Sequence, residues 1–301
     1  MRATDPEEIR RNLPPIGENY SKFDRGRLLL VAGSYGMAGA CVLSARAALR
    51  SGVGYLEIFL PDSIYEVVTS AVPEAVCSMY RADDLSGIRK KLSESVKKAD
   101  AVAAGPGLGT LREVLLPCLY GLSGKKLLLD ADALNWLSMN TALSGDGSEL
   151  SAPECGFSSL CMTPHSGEMA RLLHKTRPEI ENSRLVAVRA AARLFHASVL
   201  LKGQNTLISA PARECMMNPT GNAGLGRAGS GDTLTGIAGA LLSQGMDGYT
   251  ALYAAAWIHG RAGDLCREQF GLRSYLPSDV IEMLPRVFSE LEERRTSWTT
   301  K

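Results

Sequence analysis

Gly224-Leu225-Gly226-Arg227-Ala228-Gly229-Ser230-Gly231-Asp232 runs directly into Thr233-Leu234-Thr235-Gly236-Ile237-Ala238-Gly239-Ala240-Leu241-Leu242. The second part is small or apolar on nearly all sides, so as a helix it must lie in the interior of a sizeable fold. The first part places glycines at 224, 226, 229 and 231, a turn that can reach positive φ and bring its backbone close to a ligand. A buried helix opening behind such a turn presents free N–H groups and the positive end of its dipole. That is an anion site, and phosphate is its usual occupant. Asp232 stands at the opening. An aspartate there is ordinarily a helix cap, but an acid beside a transferring phosphoryl group is also what a general base for a substrate hydroxyl requires. The preceding glycines favour the second role, and Asp232 is taken as the catalytic base.

Enclosing such a helix takes layers, and the rest of the chain supplies strands. Short continuous apolar runs, the mark of strands buried on both faces, occur at 28–33, 55–60, 100–104, 126–130, 160–163 and 199–202. Thr206-Leu207-Ile208 starts a hairpin edge. Helical stretches separate the strands, and their ends carry clusters of Gly, Asp, His or Lys. This pattern predicts an α/β fold, a three-layer α/β/α sandwich with a mostly parallel central sheet and a ligand crevice at the strand C-termini. Residues 4–13 read as a short amphipathic helix stopped by Pro14-Pro15, and 280–295 as a C-terminal helix with a frayed polar tail. The polar Gly/Ser-rich stretch 138–158 reads as a surface loop inside a single domain spanning 1–301, with its core at about 22–290.

Composition excludes several function classes. A formal net charge of +1 gives no support to nucleic-acid binding, and no apolar run approaches the ~18 residues of a membrane span. Seven scattered cysteines without a C-x-x-C pair read as free thiols in a reducing cytosol. The polar, acidic start argues against a signal peptide, which gives a cytoplasmic expectation.

The remaining motifs are individually weak. Gly33-x-x-Gly36-x-x-Gly39 follows a strand but lacks the G-x-G-x-x-G spacing of a dinucleotide fingerprint, and Gly124-Lys125-Lys126 lacks the glycine spacing and the Ser/Thr of a Walker A loop. His165 and Glu168 fit a helix-opening turn with a Glu near the dipole, and no third ligand follows at metal spacing. At a strand C-terminus, a substrate contact is the better functional reading. Lys202 is solvent-directed by default, yet at the crevice rim it could touch a nucleotide phosphate. Asn135, after Asp130 and Asp132, stays open between turn chemistry and a site role. His174, His196 and His259 read as structural or surface residues.

Taken in order, these pieces resemble the ADP/ATP-dependent NAD(P)H-hydrate dehydratase family, a branch of the ribokinase-like fold. The resemblance runs from about Lys22 to Leu284. It rests on Ala32-Gly33-Ser34 with Gly39-Ala40, Gly105-Pro106-Gly107-Leu108-Gly109, Leu129-Asp130-Ala131-Asp132-Ala133-Leu134-Asn135, Thr163-Pro164-His165-Ser166-Gly167-Glu168, Leu201-Lys202-Gly203-x-x-Thr206, and Gly229-Ser230-Gly231-Asp232. The resemblance implies a lyase that repairs C6-hydrated NADH or NADPH (NADHX, NADPHX): the hydroxyl is phosphorylated and phosphate is expelled as the double bond reforms. It implies that Lys202, Gly203, Gln204, Asn205, Thr206 and Gly231 hold the nucleotide, and that Gly229, Ser230 and Gly231 supply N–H groups to developing charge. Ala40, Gly107, His165 and Asp232 would lie around the hydrate. The motif wording is closest to bacterial members, which implies ADP more than ATP as co-substrate. Mg²⁺ is expected on the phosphates, without a protein cage, and the assembly is expected to be a homotetramer.

The chain departs from the family's pattern in three places. Arg227-Ala228 stands where the family usually has Thr-Gly, the insert at 138–158 is long, and there is no room for the epimerase domain fused to many bacterial relatives. A separate NAD(P)H-hydrate epimerase is therefore the expected companion. Two alternatives accompany this reading: a ribokinase-like kinase of a small hydroxylated vitamin precursor, and a nucleotide-binding regulator without turnover.

Overall fold

The computed structural model describes residues 1–17, 19–122, 124–143, 150–153 and 155–296. Residues 144–149 and 154 of the polar insert, and 297–301 of the expected polar tail, lie outside the described residues.

The strands are β1 (Arg2–Ala3), β2 (Arg27–Val31), β3 (Tyr55–Pro61), β4 (Val76–Tyr80), β5 (Ala101–Ala104), β6 (Lys126–Leu129), β7 (Ala142–Leu143), β8 (Leu150–Ser151), β9 (Ser159–Met162), β10 (Ser198–Leu201), β11 (Thr206–Ser209) and β12 (Met216–Asn218). All but β7 and β8 form one sheet in the order β1-β12-β11-β10-β9-β6-β5-β2-β3-β4, and β7 and β8 pair as a small hairpin in the insert. From β4 across to β10 every pairing is parallel, and only β11 runs against its neighbours.

The helices are α1 (Pro6–Asn12), α2 (Ala38–Arg50), α3 (Tyr65–Ala71), α4 (Leu85–Lys98), α5 (Arg112–Tyr120), α6 (Asp132–Met139), α7 (Ser166–Leu172), α8 (Arg177–Asn182), α9 (Arg184–Leu194), α10 (Ser230–Ser243), α11 (Gly248–Ser274) and α12 (Pro277–Thr296). They cover both faces of the sheet. Leu28, Leu30, Ala101 and Ala103 pack toward α2, α10 and α11, whereas Leu29, Val31, Val102 and Ala104 pack toward α4, α5 and α6. Neighbouring residues of one strand feed two separate cores, which is why these strands read as unbroken apolar runs. None of the described helices is long and apolar enough to cross a membrane.

Two differences from the expected layout concern the sheet margins. Thr206–Ser209 is not an edge, because β12 and then β1 pair beyond it. The far edge, β4, gives no apolar-run signal because only its last residue, Tyr80, is buried and Val76 and Met79 are exposed. The core also reaches further toward the N-terminus than 22–290, since Ile9 of α1 is fully buried in it.

From β2 the chain steps outward to β3 and β4, then crosses back to β5, β6, β9 and β10 on the other side. The order reverses between β2 and β5, and in such sheets the crevice opens outside the strand C-termini at that point. Helix α10 lies on the sheet against α2, with its N-terminus at the crevice and its C-terminus at the start of β6. There Lys126 Nζ donates to the carbonyls of Leu242 (3.2 Å) and Met246 (2.9 Å), a cation on the negative end of the helix.

The approach of α10 to α2 depends on Gly236, where an added Cβ would stand 2.1 Å from the Ser44 carbonyl oxygen. A mid-helix Gly→Ala change ordinarily stabilises by about 0.5–1 kcal/mol. Here the clash reverses the sign: Gly236→Ala should cost about 3 kcal/mol and lower Tm by roughly 5–10 °C in a thermal melt. An unchanged or raised Tm would show that the two helices can move apart freely.

Candidate active site

The glycine loop enters α10 through Gly229, whose φ of 92° lies in the left-handed region and whose added Cβ would meet Leu43 at 2.7 Å. Only glycine fits this entry. Thr233 N–H makes the first helical bond, to the Gly229 carbonyl. The amides of Gly229, Gly231 and Asp232 have no acceptor among the described residues. The Ser230 amide differs: it donates to the Arg227 carbonyl at 3.3 Å. Of the three residues expected to form the anion hole, Gly229 and Gly231 thus present open N–H groups and Ser230 does not, while the amide of Asp232 is also open. The Ser230 hydroxyl is buried against His259, whose Nε2 lies 3.3 Å away. Burial, aided by the charge of Lys202, pushes His259 down to about 4, so it supports the loop as a neutral ring.

Asp232 is partly buried, and its carboxylate has no hydrogen bond among the described residues. Its backbone is fixed by Ser44 of α2, whose hydroxyl donates to the Asp232 carbonyl at 2.9 Å. Burial, reinforced by the negative charge of Asp130, pushes the Asp232 carboxyl up to about 6 against the opposing pull of Lys202. Such a carboxylate is ionised at neutral pH yet basic enough to take a proton.

Beneath it lies a buried ionic cluster. Lys202 turns inward from the end of β10 and donates to Asp130 Oδ1 at 2.7 Å, with Glu168 Oε2 at 3.7 Å. Asp130 is only 1% exposed and takes a second hydrogen bond from Thr235 of α10 at 2.8 Å. Although burial works against its charge, Asp130 and Glu168 hold Lys202 above its ordinary value, and burial in turn pushes Glu168 well above the usual carboxylate range. An added Cβ on Gly231 would lie 3.4 Å from Lys202 Nζ, so the lysine sits directly beside the loop. Gly203, Gln204 and Asn205 form the exposed β10–β11 turn, closed by Thr206 Oγ1 donating to the Gly203 carbonyl at 2.9 Å. Of that expected nucleotide-binding stretch, Lys202 is the residue in contact with the loop region.

His165 caps α7. Its Nδ1 accepts from the amides of Gly167 (2.9 Å) and Glu168 (3.2 Å), while Glu168 Oε2 accepts from the His165 amide (2.8 Å). This capping box fixes the proton of the neutral ring on Nε2. Burial, with Lys202 and Arg171 adding to it, lowers the affinity of His165 for a second proton. The helix-opening reading therefore accounts for the turn itself, and the half-exposed ring still faces the rim. Ala40 and Gly107 meet at the topological switch, where an added Cβ on Gly107 would stand 3.0 Å from Ala40 Cβ. The Ser34 hydroxyl clamps this corner by donating to the Gly107 carbonyl at 2.8 Å.

Between β6 and α6, Ala131 adopts φ 47°, ψ −116°, a costly conformation for a residue with a Cβ. It turns Asp130 down to Lys202 and Asp132 outward, where Asp132 accepts from the Gly109 amide at 2.8 Å. Arg227, the odd residue of the glycine loop, donates to the Arg273 carbonyl at 3.0 Å and is thereby tied to the end of α11. Sequence reading left Asp130 without a role, put His259 among structural or surface residues, and passed over Thr235. Their only signal was position: each follows a strand end or lies on a helix that reaches the crevice.

A mostly parallel sheet covered on both faces, with an open-amide glycine loop and an aspartate unpaired among the described residues above the strand C-termini, defines a ribokinase-like fold. The NAD(P)H-hydrate dehydratase family model matches residues 28–286. An ADP-dependent (S)-NAD(P)H-hydrate dehydratase of Neisseria meningitidis is 38% identical over 263 residues, covering 86% of this chain and 83% of that protein. The bifunctional NAD(P)H-hydrate repair enzyme of Moorella thermoacetica is 38% identical over 283 residues, 89% of this chain, but the chain spans only 50% of that relative's length. The crystal structure of an ADP/ATP-dependent NAD(P)H-hydrate dehydratase from Bacillus subtilis, co-crystallized with ATP/Mg²⁺, superposes with a TM-score of 0.82 at 28% identity, covering 96% of this chain and 98% of that one. The chain belongs to the NAD(P)H-hydrate dehydratase family.

Proposed function

We propose that the protein is an ADP-dependent (S)-NAD(P)H-hydrate dehydratase, a hydro-lyase that restores NADH or NADPH from the C6 hydrate. The observation that carries this reading is the Asp232 carboxylate, partly buried, raised to about 6 and free of hydrogen bonds among the described residues, beside three open amides. Asp232 takes the proton of the C6 hydroxyl as its oxygen attacks the terminal phosphoryl group of ADP, and AMP departs. The amides of Gly229, Gly231 and Asp232 receive the charge that builds on the transferring group. The C6–O bond then breaks, phosphate leaves with the bonding pair, and loss of the C5 proton forms the C5=C6 double bond. His165, with its proton on Nε2, is a donor at the rim and not a base. Lys202 and the turn through Thr206 face the nucleotide, and Ala40 and Gly107 face the hydrate.

The donor set fits a metal carried on the nucleotide. Asp130 is occupied by Lys202 and Thr235, and Asp132 by the Gly109 amide, so Mg²⁺ would be held mainly by phosphate oxygens, whose charge it neutralises. The same proposal includes a homotetramer and a separate epimerase as companion, and light scattering after gel filtration would check the former.

The deciding experiment incubates the purified protein with hydrated NADH, Mg²⁺ and either ADP or ATP, and follows the return of near-ultraviolet dihydronicotinamide absorbance. Recovery that requires nucleotide, and is faster with ADP, is the expected result. Nucleotide bound but no recovery would transfer the site to another alcohol or to a binding role.

A further inference from the structure

A run of hydrogen bonds crosses the rim of the crevice from α7 to the β5 loop. Arg171 Nε donates to Asn135 Oδ1 at 3.0 Å, Asn135 Nδ2 donates to Asp132 Oδ1 at 3.4 Å, and Asp132 Oδ2 accepts from the Gly109 amide at 2.8 Å. The run begins beside His165 and ends beside Gly107, two residues placed against the hydrate above. Arg171 is exposed, and no carboxylate lies within ion-pair distance of it among the described residues. Several arginines are ion-paired, Arg112 with Asp132, Arg261 with Glu290, and Arg46 and Arg50 with Glu282, whereas Arg171, like Arg177 and Arg189, has no ion pair among the described residues; what sets Arg171 apart is the anchoring of its Nε on Asn135. At Arg171 a neutral amide fixes Nε and leaves the Nη edge open. That edge leans over the first turn of α7, with Nη1 4.0 Å from where a Cβ on Gly167 would be. Helices α6 and α7 pack on the sheet face opposite α10, so Arg171 and Asp232 reach the crevice from opposite sides.

We propose that Arg171 binds a phosphate group of the dinucleotide substrate, on the side of the reacting ring away from ADP. A guanidinium with one nitrogen anchored and a planar edge free suits bidentate contact with a phosphate. The substrate offers two phosphate sources, the pyrophosphate bridge and, in NADPHX, the 2′-phosphate. The assignment rests on the dehydratase reading.

The test compares wild type with Arg171→Gln in the recovery assay, using hydrated NADH and hydrated NADPH with ADP varied separately. KM for the hydrates should rise about 10- to 100-fold, kcat should change far less, and KM for ADP should stay within about twofold. A rise for both hydrates identifies the pyrophosphate, and a rise for NADPHX alone identifies the 2′-phosphate. If wild type recovers both substrates and Arg171→Gln leaves both KM values unchanged, or weakens ADP equally, the assignment is wrong. Absence of recovery by wild type would instead remove the dehydratase reading, and this assignment with it.

Discussion

Asp232→Asn should abolish turnover and at the same time make the protein more stable. A general base is worth about 10²–10⁴ in rate, and asparagine keeps the shape of the side chain while being unable to accept the hydroxyl proton. The stability gain comes from linkage. The folded-state value of about 6 lies above the ordinary 3.8, so between these pH values the folded protein holds a proton that the unfolded chain has released. Wild-type stability therefore falls as pH rises from about 4 to about 6 and stays reduced above it, by roughly 1–3 kcal/mol from this group. The variant lacks that loss. Its Tm should match wild type near pH 4 and exceed it at pH 7, while ADP binding persists. The same titration should give wild-type kcat/KM an acid limb near pH 6. A variant that retains activity, or that is less stable than wild type at pH 7, would remove Asp232 from the base role.

Lys202→Met should be among the most damaging single changes. Methionine is close in length and apolar, so the loss is almost purely electrostatic: Asp130, 1% exposed, is left as a buried carboxylate facing Glu168 without a cation. Breaking a buried pair in this way costs about 3–5 kcal/mol. Removing Lys202 also removes the group that holds the Asp232 carboxyl down, so the acid limb of any residual activity should move to higher pH. The double variant Lys202→Met/Asp130→Asn should recover much of the lost Tm, since the unpaired charge is gone, without recovering activity. If Lys202→Met melts with wild type, the cluster is not what holds β6, β10 and α10 together.

The fold was legible where physics gives a one-dimensional signal. Strands buried on both faces read as apolar runs, and the all-apolar helix after Asp232 could lie only in the interior. Edge strand β4 and three-residue β12 give no such signal, and β12 becomes a strand only because β11 and β1 present partners. Within the site, Gly229 to Asp232 announced itself because glycine and aspartate at a helix start are chemically unusual. Asp130 did not, because a carboxylate after a strand is as often turn chemistry. Only the three-dimensional meeting of Lys202, Glu168 and Thr235 shows it buried and spoken for. Arg171 carries no signal in the sequence, because the amide of Asn135 that anchors its Nε comes from α6 and meets it only in space.

The close seating of α10 on α2 has a consequence for how such a site can diversify. Ala40 and Ser44 belong to α2, Asp232 to α10, and the Ser44–Asp232 bond together with the bare backbone at Gly236 locks the two helices in register. The gap between Asp232 and Ala40 is thus gauged by two rigid rods, like the jaws of a fixed calliper, and not by loops. Changes in the turn that leads into α10, such as Arg227, can alter what enters the jaws without altering their spacing. A lineage can therefore exchange its clientele while the chemistry stays calibrated, and losing Gly236 would lose the calibration for every client at once.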